Sequence, residues 1–287
     1  MDATLAVVGR LYALDPAMPV LLRPDGAVQV GWNPRRAVLV HPPDGVTSAG
    51  LAAVLRGMQV PMDVAALHRL AGTHGIHDPA ALDDLLEALV SARVVHHRTP
   101  SAAPHALSIR VHGCGPLSDL LLDALRCSGA RVAQSSHANA VVSTTGVDMV
   151  VLSDYLVADP RLVRDLHAAG VPHLPVRVRD GTGLVGPLVI PGVTSCLSCA
   201  DLHRADRDAA WPAVAAQLRD VIGTADRPTV LGTVAVALGQ LQRIITAVRG
   251  PDAPGAPPST LNTTLEVDVS SNTILARRWS RHPRCQC

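Results

Sequence analysis

Between residues 19 and 41 the apolar positions fall in short alternating runs. Pro19–Leu22, Ala27–Gly31 and Ala37–His41 are separated by the turn Pro24-Asp25-Gly26 and the break Asn33-Pro34, and they predict three short strands. From residue 47 the period lengthens. Thr47 caps a helix with Leu51, Val54, Leu55 and Met58 on one face. Val64, Leu67, Leu70 and Ala71 mark a second helix, ending near Gly72 and Gly75. Asp78-Pro79 supplies a cap and a first-turn proline for a third, which carries Leu82, Leu85, Leu86, Leu89 and Val90. His96 to His105, with Thr99-Pro100-Ser101 and Pro104, reads as a linker with His96 and His97 in solvent. The expected division is 1–98, a linker 99–105, and a second domain 106–287.

In the second domain strand and helix patterns alternate. Ala106–His112 predicts a strand, Gly113-Cys114-Gly115 a turn, and Pro116 the start of a helix to about Ser128. Ala130–Ala133 and Val147–Leu152 predict the next strands. Asp159-Pro160 caps a helix to Ala169, and Val171–Val178 predicts another strand. This alternation predicts an α/β fold with a mostly parallel, doubly wound, Rossmann-like sheet. A hairpin is expected after Arg179, with Asp180-Gly181-Thr182-Gly183 as its turn. Helices follow over 201–222 and Val230–Val248, then a final hairpin, Thr260–Val269 and Thr273–Trp279.

A small sheet followed by three helices has the layout of a winged helix-turn-helix, which suggests DNA binding. The charge disagrees. Residues 1–95 hold seven arginines against nine acids, and the third helix carries Asp83, Asp84 and Glu87 where phosphates would be met. A protein-binding module is the better reading, with no nucleic acid as partner. All 25 basic residues are arginine, so lysine chemistry, whether Schiff base or P-loop, is excluded. The N-terminus lacks the basic and apolar runs of a signal peptide, which makes the expected compartment the cytoplasm. Val230–Val248 contains Gly232, Gly239, Gln240, Gln242 and Arg243, the pattern of a docked helix rather than a membrane span.

Three stretches can carry chemistry. Gly113 and Gly115 begin a dinucleotide fingerprint, but Ser118 stands at the third glycine and Pro116 removes an N–H. The second strand leads into Ala133-Gln134-Ser135-Ser136, with no acid for a ribose. Asp154 follows a central strand, at the edge where open α/β sheets bind ligands; a helix-capping or loop acid is the competing reading. Cys196-Leu197-Ser198-Cys199 and Cys285-Gln286-Cys287 supply two close thiol pairs, the pattern of a structural zinc site, with a persulfide or redox pair as the alternative. Cys114 and Cys127 stand alone and read as buried, packed thiols.

The run Gly186-Pro187-Leu188-Val189-Ile190-Pro191-Gly192-Val193-Thr194-Ser195-Cys196-Leu197-Ser198-Cys199, followed by Asp206, Asp208, Trp211-Pro212 and the terminal Trp279…His282-Pro283…Cys285-Gln286-Cys287, resembles the ThiF-like (ubiquitin-activating-enzyme-like) superfamily. More narrowly it is similar to the partner proteins of azoline-forming cyclodehydratases, which serve thiazole/oxazole-modified peptides. The resemblance implies an N-terminal PqqD-like winged-helix recognition element fused to a ThiF-like domain. It implies zinc on Cys196, Cys199, Cys285 and Cys287. It also implies a precursor leader peptide added as a strand beside Ala37, Val38, Leu39, Val40 and His41, with Leu82, Asp83, Leu86 and Leu89 opposite. ATP and Mg²⁺ would fall at Gly113, Gly115 and Asp154. There Tyr155 replaces the usual Asn, and the third glycine, ribose acid and lysine are missing. These departures point to a non-catalytic presenter of the leader to a YcaO-type cyclodehydratase, and the resemblance also implies a homodimer. The alternatives are an ATP-dependent adenylyltransferase activating a carboxylate, and a winged-helix regulator.

Overall fold

A computed structural model describes residues 9–98, 106–136, 145–248 and 256–287. They fall into two compact units, divided near residue 105. The expected linker at 99–105 lies outside the described residues.

The first unit contains β1 (Leu11–Leu14), β2 (Val20–Leu22), β3 (Val28–Val30), β4 (Val38–Val40), α1 (Ser48–Gly57), β5 (Met62–Asp63), α2 (Val64–Thr73), α3 (Pro79–Ser91) and β6 (Val95–Arg98). Two three-stranded antiparallel sheets form, ordered β2-β3-β4 and β5-β1-β6. All three helices are capped by a side-chain oxygen that accepts a backbone N–H, at Thr47 and Asp78 as expected and at Asp63, which the sequence reading did not mark. Their apolar faces meet in one core containing Leu14, Leu51, Leu55, Leu67, Leu82 and Leu89. His96 and His97 are corrected from linker to strand. They pair with Ala13 and Tyr12 in β6, because a strand from the chain's start supplies the partner that a local reading cannot see.

The second unit contains β7 (Ser108–His112), α4 (Pro116–Arg126), β8 (Arg131–Ser135), β9 (Met149–Ser153), α5 (Pro160–Ala168), β10 (His173–Arg179), β11 (Thr182–Val185), α6 (Leu197–Ala205), α7 (Trp211–Leu218), α8 (Arg227–Val248), β12 (Thr263–Asp268) and β13 (Thr273–Arg278). They build a seven-stranded mixed sheet, β13-β12-β11-β10-β9-β7-β8. The half from β8 to β10 is parallel, and the half from β10 to β13 is antiparallel. Alternate residues of β9 serve opposite faces. Met149 and Val151 pack into the core with α4 and α8, while Val150 and Leu152 pack with α5 and the cysteine loop. The β10–β11 turn is shorter than expected. Asp180 and Gly181 have φ of 51° and 77°, the left-handed pair that a two-residue hairpin requires, so Thr182 and Gly183 belong to the strand.

By length and composition α8 could cross a membrane. It instead lays Val230, Val234, Ala237, Leu241 and Ile245 against the sheet core.

Candidate functional site

The glycine turn after β7 delivers the N-terminus of α4 to the carboxyl end of the parallel strands. In many α/β proteins this position receives a phosphate, because unpaired N–H groups and the helix dipole favour an anion. Here the anion is supplied by the chain itself. Asp154, one residue beyond β9, accepts the N–H of Leu117 on Oδ1 at 3.0 Å and the N–H of Ser118 on Oδ2 at 3.1 Å. The Ser118 hydroxyl also donates to Oδ2 and lies 2.9 Å from the Ser153 hydroxyl. Asp154 is 1% exposed and sits at φ 69°, in the left-handed region that Asp tolerates better than most residues. Burial raises its pKa, and the donors from Ser118 and Leu117 work against that rise.

The two glycines serve the same contact. A Cβ on Gly115 would stand 2.8 Å from Asp154 Oδ1 and 2.9 Å from its Cγ. One on Gly113 would collide with Ser153 and Ser118. Small residues are needed so that the turn can close onto Asp154. Of the two readings of Asp154, the helix-capping one describes the geometry. Gly113, Gly115 and Asp154 come together, but as an internally satisfied lock.

Cys114 and Cys127 are both exposed, which corrects the expectation of packed thiols. Cys114 sits on the outer side of the turn, whose inner side is filled by Asp154. Cys127 follows the last turn of α4, whose buried stripe is Leu117, Leu121, Leu122 and Leu125.

The four paired cysteines meet. Their sulfurs all lie within 4.8 Å of one another, with Cys196–Cys199 at 3.8 Å, Cys196–Cys285 at 3.5 Å and Cys199–Cys287 at 3.4 Å. A zinc ion about 2.3 Å from each of four sulfurs needs edges of about 3.8 Å, so these residues could hold such an ion. All of these separations are far beyond a disulfide bond of about 2 Å. Cys196 caps α6 by accepting the Cys199 N–H at 3.4 Å. Burial pushes the Cys196 thiol up. At Cys199 burial also opposes ionisation, but backbone hydrogen bonding at His282 and Cys196 outweighs it and holds the thiol at about 7.

Remote contacts fix both loops. Ser195 N–H donates to Asn262 Oδ1 at 2.7 Å, and Arg281 donates to the Gly192 carbonyl at 2.5 Å. His282 is not a ligand candidate. Its Nδ1 accepts the Arg284 N–H at 3.1 Å, so Nε2 carries the proton and donates to Asp206 Oδ2 at 2.7 Å. The His282 carbonyl accepts the Cys285 N–H at 3.0 Å, which sets the turn delivering the last two thiols.

Among the expected peptide-edge residues, Val38, Leu39 and Val40 form β4, with Ala37 and His41 flanking it. β4 is an edge of its sheet. Leu39 is 49% exposed and faces outward beside Gln29, and Leu21 is exposed on the same face of β2. The α3 residues are corrected. Leu82, Leu86 and Leu89 are core residues at 1%, 3% and 1% exposure, because the apolar stripe of α3 faces the unit's own interior. Only Asp83 of the expected set lies on the surface.

A pocket missed by the sequence reading opens beside α6 and α7. It is a cavity of about 300 Å³ lined by Leu156, Val163, Leu197, Trp211, Arg177 and Arg204 among others. Pro187, Leu197 and Ser198 of the cysteine-bearing run, and Trp211 after it, line it, but the cavity itself is assembled from five separate elements and so was not legible.

No family model matches the chain, and no curated protein sequence matches it. Solved structures do. A heterocyclase solved with substrate and cofactor matches with a TM-score of 0.67 at 14% identity, over 96% of this chain and 39% of that one. The heterocyclase TruD matches with a TM-score of 0.65 at 14% identity, over 96% and 42%. MccB of E. coli, solved with ATP, matches with a TM-score of 0.56 at 12% identity, over 96% and 99%. The chain spans about two fifths of the heterocyclase chains. At these identities the likeness defines the fold: a two-unit architecture with a Rossmann-like α/β second unit, shared with heterocyclases and with MccB.

Proposed function

We propose that this chain is a ThiF-like partner protein that binds the leader of a ribosomally made precursor peptide and presents it to a YcaO-type cyclodehydratase, without itself using ATP. The observation that carries this reading is the Asp154 lock. A helix N-terminus already filled by a buried carboxylate has no unpaired N–H groups at Leu117 and Ser118 to offer a phosphate. The likeness to heterocyclase chains, over nearly the whole of this chain and about two fifths of theirs, fits the presenting module of such a system.

On this reading zinc occupies Cys196, Cys199, Cys285 and Cys287 as a structural ion, with no part in a reaction. The thiolates would hold the C-terminus against α6, and Asp206, through His282, keeps the terminal turn in the conformation that brings Cys285 in. The first unit is a PqqD-like winged-helix element. The leader adds as a strand to β4, where backbone pairing gives affinity and outward Leu39 and Leu21 give selectivity. The test is a search of the neighbouring genes for a short Cys/Ser/Thr-rich precursor peptide, then calorimetric titration with its leader and separately with ATP·Mg²⁺. Leader binding without ATP binding is expected. ATP binding with pyrophosphate exchange would overturn the reading.

The second reading is an adenylyltransferase, favoured by the match to ATP-bound MccB over 99% of that chain. It requires Asp154 to leave Leu117 and Ser118 when nucleotide arrives, and the same ATP titration decides it.

A further inference from the structure

The cavity beside α6 and α7 has a specific electrical character. Leu156, Ala158, Val163, Leu184, Leu197 and Leu218 give it apolar walls. Three guanidinium groups reach it, from Arg177, Arg179 and Arg204. Two of them are already matched. Arg204 pairs with Asp201 at 2.8 Å and lies over the rings of Trp211 and Trp279 at 5.0 and 5.1 Å. Asp201 is further held by the indole N–H of Trp211 at 3.1 Å. Arg179 pairs with Glu266 at 3.7 Å, which also holds Arg277 at 2.9 Å.

Arg177 is different. It is half-buried, and among the described residues no carboxylate lies within ion-pair distance of it. Its one side-chain hydrogen bond goes to the Leu156 carbonyl at 3.1 Å. Burial, then repulsion from Arg204, pulls its pKa down to about 10 against the attraction of Asp201, so it keeps its charge at neutral pH with no carboxylate in direct contact. A guanidinium offers five donors in a planar fork. Its remaining donors are not sealed from water, so a carboxylate entering the cavity would replace water on them.

We propose that this pocket is a binding site for a carboxylate carried on an apolar body, with Arg177 as the anchoring residue. Three features select that ligand. Among the described residues Arg177 is the one arginine of the pocket without an ion-pair partner, and of the two acids that also line it Asp201 is engaged by Arg204 and Asp180 is exposed, so the site suits one negative charge where a polyphosphate would bring several. The walls are apolar, which suits an aliphatic or aromatic body rather than a sugar. The volume is at the lower end of small-molecule sites, about the size for one or two residues of peptide. The Arg177 fork takes both carboxylate oxygens, while the body displaces water from the leucines. A peptide C-terminus and an acidic side chain share this chemistry. The site is independent of the β4 edge, so failure of leader binding there leaves it standing.

The test is calorimetric titration of the full chain with three probes: N-acetyl-leucyl-leucine, its C-terminal amide, and N-acetyl-aspartyl-leucine amide. At least one of the two acids is expected to bind, and the neutral amide about tenfold or more weaker. Tighter binding of the terminal acid assigns the site to a peptide end, and tighter binding of the aspartyl probe to a side chain. Arg177→Leu is expected to lose about tenfold or more for the acids. Ala158→Phe, which fills the cavity and leaves Arg177 in place, is expected to abolish binding and serves if Arg177→Leu fails to fold. Equal binding of acid and amide, no binding of either acid at millimolar probe, or undiminished binding in a folded Ala158→Phe would each overturn the proposal.

Discussion

The Asp154 carboxylate accepts the Leu117 N–H at 3.0 Å, and with it closes the N-terminus of α4 from within. The residue that a nucleotide-binding reading assigns to magnesium is thus the residue that fills the phosphate position. Both roles need an acid at the end of β9, which is why the sequence left them open.

Asp154→Ala leaves the N–H groups of Leu117 and Ser118 and the Ser118 hydroxyl without their acceptor. A loss of about 2–3 kcal/mol is expected in urea unfolding. Asp154→Asn keeps an acceptor and tolerates positive φ, so its cost is expected near 1 kcal/mol. A neutral Asp154→Ala would show that the lock is not holding the turn.

One zinc ion per chain is expected in native mass spectra of the purified protein. Cys285→Ser or Cys199→Ser should lose it and lower the thermal midpoint. Cys114→Ser and Cys127→Ser, on exposed thiols, should leave metal content unchanged. Zinc retained in both paired-cysteine variants would remove the four-thiolate assignment.

His173 is fully buried, donates through Nδ1 to the Val171 carbonyl at 3.1 Å, and leaves Nε2 without a partner. Burial, with a smaller push from His167, lowers its pKa from 6.5 to about 4. The unfolded chain therefore binds a proton that the folded chain refuses. Stability is expected to fall as pH drops from about 6.5 towards 4 and then to level off, a loss on the order of 3 kcal/mol. In His173→Leu the pH slope between those limits should drop by about one proton, measured on the metal-loaded protein. An unchanged slope would mean that His173 is not the responsible group.

Leu39 and Leu82 separate binding from folding. Leu39→Asp, on the exposed face of β4, is expected to leave the thermal midpoint in place and weaken leader binding about tenfold. Leu82→Ala empties a core position and is expected to cost about 2–4 kcal/mol of stability. Equal effects of the two on binding in folded protein would argue against β4 as the peptide edge.

Much of this molecule is written locally. The periods of residues 19–90 name three strands and three helices, because side-chain alternation and capping act over a few residues. The two thiol pairs announce a shared site because few other arrangements put cysteines at that spacing. What the sequence alone could not decide depends on partners distant in the chain. His96 and His97 become strand only because Tyr12 and Ala13 lie alongside. Leu82 and Leu86 look equally suited to a groove or a core, and only packing turns them inward. Asp154 was legible as an important acid, but the choice between ligand and lock lay in where α4 begins against the end of β9. Arg177 carried no signal at all, since a charge without a partner is defined by the acids that folding sends elsewhere.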